Sequence, residues 1–272
     1  MTPSRRSSVW LAVGTAALLG CVACSPSAQP PGAAPAEQGE KAATTAPVRD
    51  LSGVWAGPPL PTLQEPAPFT PAGQKRYEAN KATWGPNAVG LAESNDPLIT
   101  CDPLGFPRSA LYETRGFEFL HAPTKTVQLL QYQRVWREIW TDGRSLPADV
   151  GGDSPTSLDP HWFGYSVGRW ADDSTFVVET NGTNENSWVD YFGRPHSAAA
   201  HFEERYRRLD ANTLEVTVTV TDPETYTRPY VAMAQKFVRA EKQELEEQLC
   251  VPSEAIEYFK TIAEPAAAGN TK

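Results

Sequence analysis

The sequence predicts a mostly β fold, a single antiparallel barrel closed on itself, with a two-sheet sandwich as the alternative. An irregular N-terminal insertion and short helices complete it. Three observations predict this. Leu214, Val216, Val218 and Val220 alternate with Glu215, Thr217, Thr219 and Thr221, the period-two pattern of a strand with one apolar and one polar face. Ala171-Asp172-Asp173 and Asp210-Ala211-Asn212 each separate two such runs, as hairpin loops do. Eight or nine strands in hairpin order must also close their edges, and a barrel or a sandwich does so.

Taken in order, Asp50-Leu51-Ser52-Gly53-Val54-Trp55 opens the body as a first strand. Residues 58–108 are dense in Pro, Gly and Asn and read as irregular, a length that often covers or shapes a site. One helix is expected there over 71–81, with Thr70 as N-cap and Pro71 at N1. Strands are expected at 116–121, 126–133, 134–141, 164–170, 174–180, 200–209, 213–221 and 228–239, the second and third of these being either a hairpin or one long bent strand. Residues 241–249 and 253–262 look helical. The β domain thus spans 49–263, and 264–272 is expected to be a loose tail.

Ahead of the body, Arg5 and Arg6 precede an apolar run from Val9 to Leu19 and then Gly20 and Cys21, the layout of a signal peptide over 1–20. The run covers roughly 17 Å as a helix, well short of the ~30 Å hydrocarbon core, so it is not a spanning segment. Leu18-Leu19-Gly20-Cys21 resembles the bacterial lipobox, which implies acylation of Cys21; Val22-Ala23-Cys24 is a second candidate. Residues 21–48 form a tether of Ser, Ala, Pro, Gln, Gly and Thr with too little apolar surface to fold. The expected location is the cell envelope, anchored to the membrane by lipid. By analogy with such lipoproteins, the lack of an Asp after either cysteine favours the outer membrane, facing the periplasm.

A net charge of −9 argues against a nucleic-acid partner, and Arg205 to Arg208 are interleaved with Glu203 and Glu204. In an oxidising compartment Cys101 and Cys250 are expected to form a disulfide, with two buried thiols as the alternative. No cofactor is implied: the sequence has no phosphate-binding Gly-rich loop, no His-Glu-x-x-His, no Gly-x-Ser-x-Gly elbow and no dinucleotide fingerprint. His121, His161, His196 and His201 lack the spacing of a zinc site, so no metal is assigned.

Gly53-Val54-Trp55 resembles the Gly-x-Trp opening of lipocalin-like barrels. That resemblance implies a Trp closing one end beneath a basic side chain of the last strand, here Arg239. The stretches Cys101 to Arg108, Ile139 to Arg144, Tyr165 to Trp170 and Glu204 to Arg208 look like a family of uncharacterised bacterial envelope proteins, which implies no activity.

Chemistry must therefore come from the residues. Trp188 to Ser197 form a loop holding an acid, an imidazole and a hydroxyl, so His196 is the candidate general base and Asp190 its orienting carboxylate. The competing reading is a loop fastened by hydrogen bonds, with Asp190 capping a turn. On strand 200–209, His201, Glu203, Arg205 and Arg207 share one face and Phe202, Glu204, Tyr206 and Arg208 the other. One set must point inwards and find partners. Glu203 and Arg205 are candidates for stabilising charge, and Glu138 and Glu179 for pairing with Arg137 or Arg205. Trp136, Trp140, His161, Trp162, Tyr165, Trp188 and Tyr191 are candidates to line a cavity for a small hydrophobic or aromatic ligand, or else core. Three functions follow as expectations: a ligand-binding barrel, an acid/base hydrolase, isomerase or cyclase using the same cavity, or a structural envelope component with a protein partner.

Overall fold

Among the described residues nine strands hydrogen-bond into one ring: β1 (Gly53–Ala56), β2 (Phe117–His121), β3 (Lys125–Leu130), β4 (Val135–Trp140), β5 (Tyr165–Trp170), β6 (Thr175–Asn181), β7 (His201–Arg208), β8 (Thr213–Thr221) and β9 (Tyr230–Arg239). The computed structural model describes residues 48–57, 66–111, 116–242 and 244–269. The expected signal peptide, Cys21 and nearly all of the tether lie outside the described residues. β1 pairs with β2 through Gly53↔Phe119 and with β9 through Trp55↔Arg239, which closes the barrel.

Eight of the nine junctions are antiparallel. The exception is β4 and β5, which run parallel and share the single pair Trp140↔Val167. The purely antiparallel expectation is corrected here: the long connection from Thr141 to Gly164 lets the chain return in the same direction, as a parallel pair requires. β3 and β4 are separate strands of a tight hairpin, because Gln133 and Arg134 both take positive φ (59° and 49°) and reverse the chain.

Alternation decides what fills the ring. Phe202, Glu204, Tyr206 and Arg208 of β7 are buried, as are Leu214, Val216, Val218 and Val220 of β8. Phe202, Tyr206 and these β8 residues join Phe117, Phe119, Ile139, Phe176 and Phe237 in one continuous core inside the barrel. Each such aromatic or aliphatic side chain stabilises the fold by roughly 1.5–3 kcal/mol.

Trp55 closes one end: it is fully buried and its Nε1 donates to Leu51 O at 2.9 Å. The cation above its ring is Arg208 of β7, 4.9 Å from the ring centre, and not Arg239. Arg208 is fixed there by donating to the carbonyls of Asp50 and Ala211, both at 2.7 Å. Arg239 instead packs its guanidinium against Gly53, whose φ of +115° and missing Cβ leave the space.

Helix α1 (Pro71–Ala79) forms as its cap predicts, with Thr70 Oγ1 accepting from Gly73 N at 3.0 Å. It stops before 81 because Asn80 turns to extended backbone and its carboxamide donates to Gly193 O at 2.8 Å. A short helix α2 (Arg108–Leu111) precedes β2. Residues 244–249 are not helical: Gln133 N donates to Gln248 O, and Tyr132 pairs with Gln248, so this stretch lies along the β3–β4 turn. α3 (Pro252–Tyr258) runs through a π-helical turn (Phe259–Ala263) into α4 (Glu264–Gly269), so the expected loose tail is helical as far as Gly269. No helix among the described residues is long and apolar enough to cross a membrane. Cys101 and Cys250 are disulfide-bonded, with Cα atoms 5.5 Å apart.

Candidate functional site

The end of the barrel opposite Trp55 is closed by a loop rather than by a strand. Residues 96–108 leave and rejoin the body at one point, because Asp96 accepts both Arg108 Nη1 and Nη2 at 2.7 Å in a buried bidentate pair. Asp96 also caps the short 3-10 turn Pro97–Thr100 by accepting from Leu98 N. Arg108 stacks over Trp188 at 5.1 Å. Between these ends the disulfide holds Cys101, and Leu104 and Phe106 are buried. Gly105 makes the insertion possible: its φ is +68°, and a Cβ there would lie 2.7 Å from Ser187 Cβ and 2.8 Å from Trp162 O. Outside, the loop borders a groove of about 430 Å³ formed with Ile256, Phe259 and Lys260.

Phe106 donates its backbone N–H to Trp162 O at 2.7 Å and sends its ring inwards. The ring meets Phe202 edge-on, 5.3 Å between centres, and sits 4.0 Å from the guanidinium carbon of Arg137. Arg137 is almost completely buried, so each N–H must find an acceptor. Nε donates to Ser166 Oγ (3.0 Å), Nη1 to Glu204 Oε2 (2.9 Å) and Gln128 Oε1 (3.4 Å), and Nη2 to Glu204 Oε1 (2.5 Å) and Thr180 Oγ1 (2.6 Å). Tyr206 Oη donates to Glu204 Oε2 at 2.6 Å. Burial works against the charge on Arg137, but Glu204 more than offsets it and raises the guanidinium pKa further. Burial and the Glu204 charge together hold the Tyr206 phenol well above its usual range, so it remains a donor.

His196 and Asp190 are both buried but have separate partners. Asp190 accepts from Phe192 N (2.9 Å) and Arg194 N (3.4 Å) and pairs with Arg194 Nη1 (3.2 Å). It therefore fastens its own loop and Arg194 rather than orienting the imidazole, and burial raises its pKa against the pull of Arg194. His196 Nδ1 lies 3.0 Å from Ser197 O, a carbonyl that accepts only an N–H, which leaves Nε2 as acceptor for Ser187 Oγ at 2.9 Å. The same hydroxyl lies 2.8 Å from Asn184 O, so one hydrogen serves two acceptors. Burial lowers the His196 pKa, which keeps the ring neutral. The carboxylate of this region is Asp222, which accepts from Ser197 N and Oγ at 2.7 Å.

Other expected site residues are placed elsewhere, those on strands by the pleat. Glu203 and Arg205 face outwards and pair with each other at 3.6 Å, so neither reaches the lumen. Glu138 pairs with Lys125 and Glu179 with Arg169, on the outer surface. Trp136 is 64% exposed on the outside of β4, and Trp140 lies there too, between Lys125 and Arg144. His161 stacks on Tyr165, whose hydroxyl also donates to Asp159 O, and both stand outside the core. Trp162 is half-buried and contributes its carbonyl to the Phe106 loop. Trp188 and Tyr191 are buried, the first under Arg108 and the second against Phe192.

Phe106 and Ser187 were not site candidates from the sequence, Glu204 was placed only on one face of its strand, and Arg137 was expected to pair with Glu138 or Glu179 rather than with Glu204. A signal existed for two of them: Arg137 is a charge in line with Val135 and Ile139 on its strand, and Glu204 shares its face with Phe202, Tyr206 and Arg208. Among the described residues no group of three or more His, Cys, Asp or Glu could hold a metal ion. Comparison of the chain with protein-family models, curated proteins and solved structures finds no match.

Proposed function

We propose that the chain is a lipid-anchored envelope protein, facing the periplasm, whose barrel holds a small hydrophobic or aromatic ligand. The observation that carries this reading is the unequal closure of the barrel: strand residues and Trp55 seal one end, whereas the other is filled by side chains of a loop. A closed barrel with aromatic walls and a few polar groups is a common form of small-molecule site. The Arg5-Arg6, Val9 to Leu19 and Gly20-Cys21 pattern supports export and anchoring, and the Cys101–Cys250 bond fits an oxidising compartment. Native mass spectrometry of freshly purified protein, with titration of the fluorescent probe N-phenylnaphthylamine, tests the reading. A retained small molecule or saturable one-to-one binding is expected; neither being found removes it.

A second reading, cofactor-independent acid/base chemistry, is favoured by one observation, the 2.9 Å contact between Ser187 Oγ and Nε2 of His196. A fluorophosphonate probe that labels Ser187 in the wild type and not in His196→Gln is the expected result under that reading. Absence of labelling at millimolar probe removes it.

A further inference from the structure

Arg137 has five N–H groups and each has an acceptor, so no hydrogen-bonding valence is left for a ligand. Its charge is also answered, by Glu204. An anionic ligand would bring a second negative charge beside Glu204, and a cationic one would meet Arg137. What the guanidinium still offers is cation–π contact, and the Phe106 ring takes it, its centre 4.0 Å from the guanidinium carbon. The edge of Phe202 supplies a second wall.

We propose that Phe106 marks the seat of the ligand's ring: the ligand is a neutral planar aromatic that stacks on Arg137, and the 96–108 loop is a built-in competitor that must withdraw to admit it. This deepens the ligand-binding reading and rests on it. The loop is held by the Asp96–Arg108 pair, the disulfide at Cys101, the Phe106 N–H to Trp162 O, Gln133 Nε2 on the carbonyls of Cys101 and Asp102, and the burial of residues 104–108, but not by strand pairing. A segment outside the strand ladder opens at lower free energy than ladder-bonded strands. The groove along its outer side leaves room for the movement.

The experiment compares 2-phenylethanol, 2-cyclohexylethanol and phenylacetate, matched in size, by calorimetry on wild type and Phe106→Ala. The emptied seat should bind the neutral aromatic about ten-fold more tightly than wild type does, and about five-fold more tightly than the saturated or anionic analogue. Phe106→Leu, which keeps most of the volume without the ring, should show the same order and serves if the alanine variant does not fold. Amide exchange over 96–108 in wild type should rise on saturation with 2-phenylethanol while β7 and β8 stay protected. Equal affinities for the phenyl and cyclohexyl compounds, or binding that leaves exchange of the loop unchanged, would overturn the proposal. If wild type binds no hydrophobic probe while Phe106→Ala keeps the aromatic preference, the seat stands and the proposed physiological function falls.

Discussion

Glu204 and Arg137 meet inside the barrel with N–O distances of 2.5 and 2.9 Å, and neither side chain is more than 1% exposed. A buried pair of this kind costs several kcal/mol of desolvation per ion, which its attraction and added hydrogen bonds must repay. Removing one partner is therefore far worse than removing both. Glu204→Ala is expected to lose about 3–5 kcal/mol of stability, while the double variant Arg137→Met, Glu204→Leu recovers most of it. Urea denaturation of the three proteins checks this.

Stability should fall on mild acidification. Burial holds the folded-state pKa of His196 below 6.5, so below that pH the unfolded chain binds the proton and the folded chain does not. The loss begins as pH drops through about 6.5 and levels off below the folded value, with a slope of at most about 1.4 kcal/mol per pH unit from this group. Burial lowers His121 as well, against the pull of Asp50, and adds to the same window. Asp222 acts later: burial pushes its carboxyl up, but hydrogen bonds from Thr225 and Ser197 hold it below 3.8, so its contribution is lost only under more acidic conditions. Denaturation midpoints from pH 7.5 to 5 should show a shallower slope in His196→Gln.

The Cys101–Cys250 bond closes a sequence separation of 149 residues. In the chain-entropy account this contributes on the order of 4–5 kcal/mol. Cys250→Ser is expected to lower the unfolding midpoint, with amide exchange rising first over 96–108 and 244–250, the two segments the bond joins. Mass-resolved hydrogen exchange reads both.

Gly105→Ala places a methyl group against Ser187 and the Trp162 carbonyl at a left-handed backbone position. A cost of about 1–3 kcal/mol is expected from the backbone alone. Gly90→Ala, where a Cβ meets nothing within 4 Å, serves as the control in the same denaturation series.

Trp136→Ala should leave both stability and probe affinity almost unchanged, because this ring points to solvent from the outer face of β4. A change in N-phenylnaphthylamine affinity of more than about three-fold, roughly 0.65 kcal/mol, would contradict a binding site inside the barrel.

The strands were legible because hydrophobic alternation is local: Leu214 to Thr221 can be read without knowing any neighbour. The α1 cap was legible for the same reason, since Thr70 and Gly73 are three residues apart. The parallel β4–β5 junction was not, because nothing within either strand states the direction of its partner. The residues 244–249 carry helical composition, yet Gln248 pairs with the β3–β4 turn and Cys250 is tied to Cys101, so tertiary contacts overrode local preference. Asp190 and His196 are close in the chain but turn to different partners, Arg194 for one and Ser187 for the other.

By itself the sequence determined the β class, the hairpins read from local alternation, and the rule that one face of strand β7 had to carry charges inwards, and it left the two body cysteines as either a disulfide or free thiols. Only the tertiary structure decided which face that was, that Arg137 from three strands away would answer Glu204, and that Phe106 would lie on their pair. The reason is physical. Alternation and capping act over a few residues, whereas charge compensation and ring stacking depend on which side chains ring closure brings within about 4 Å, and that distance is not a property of any single segment.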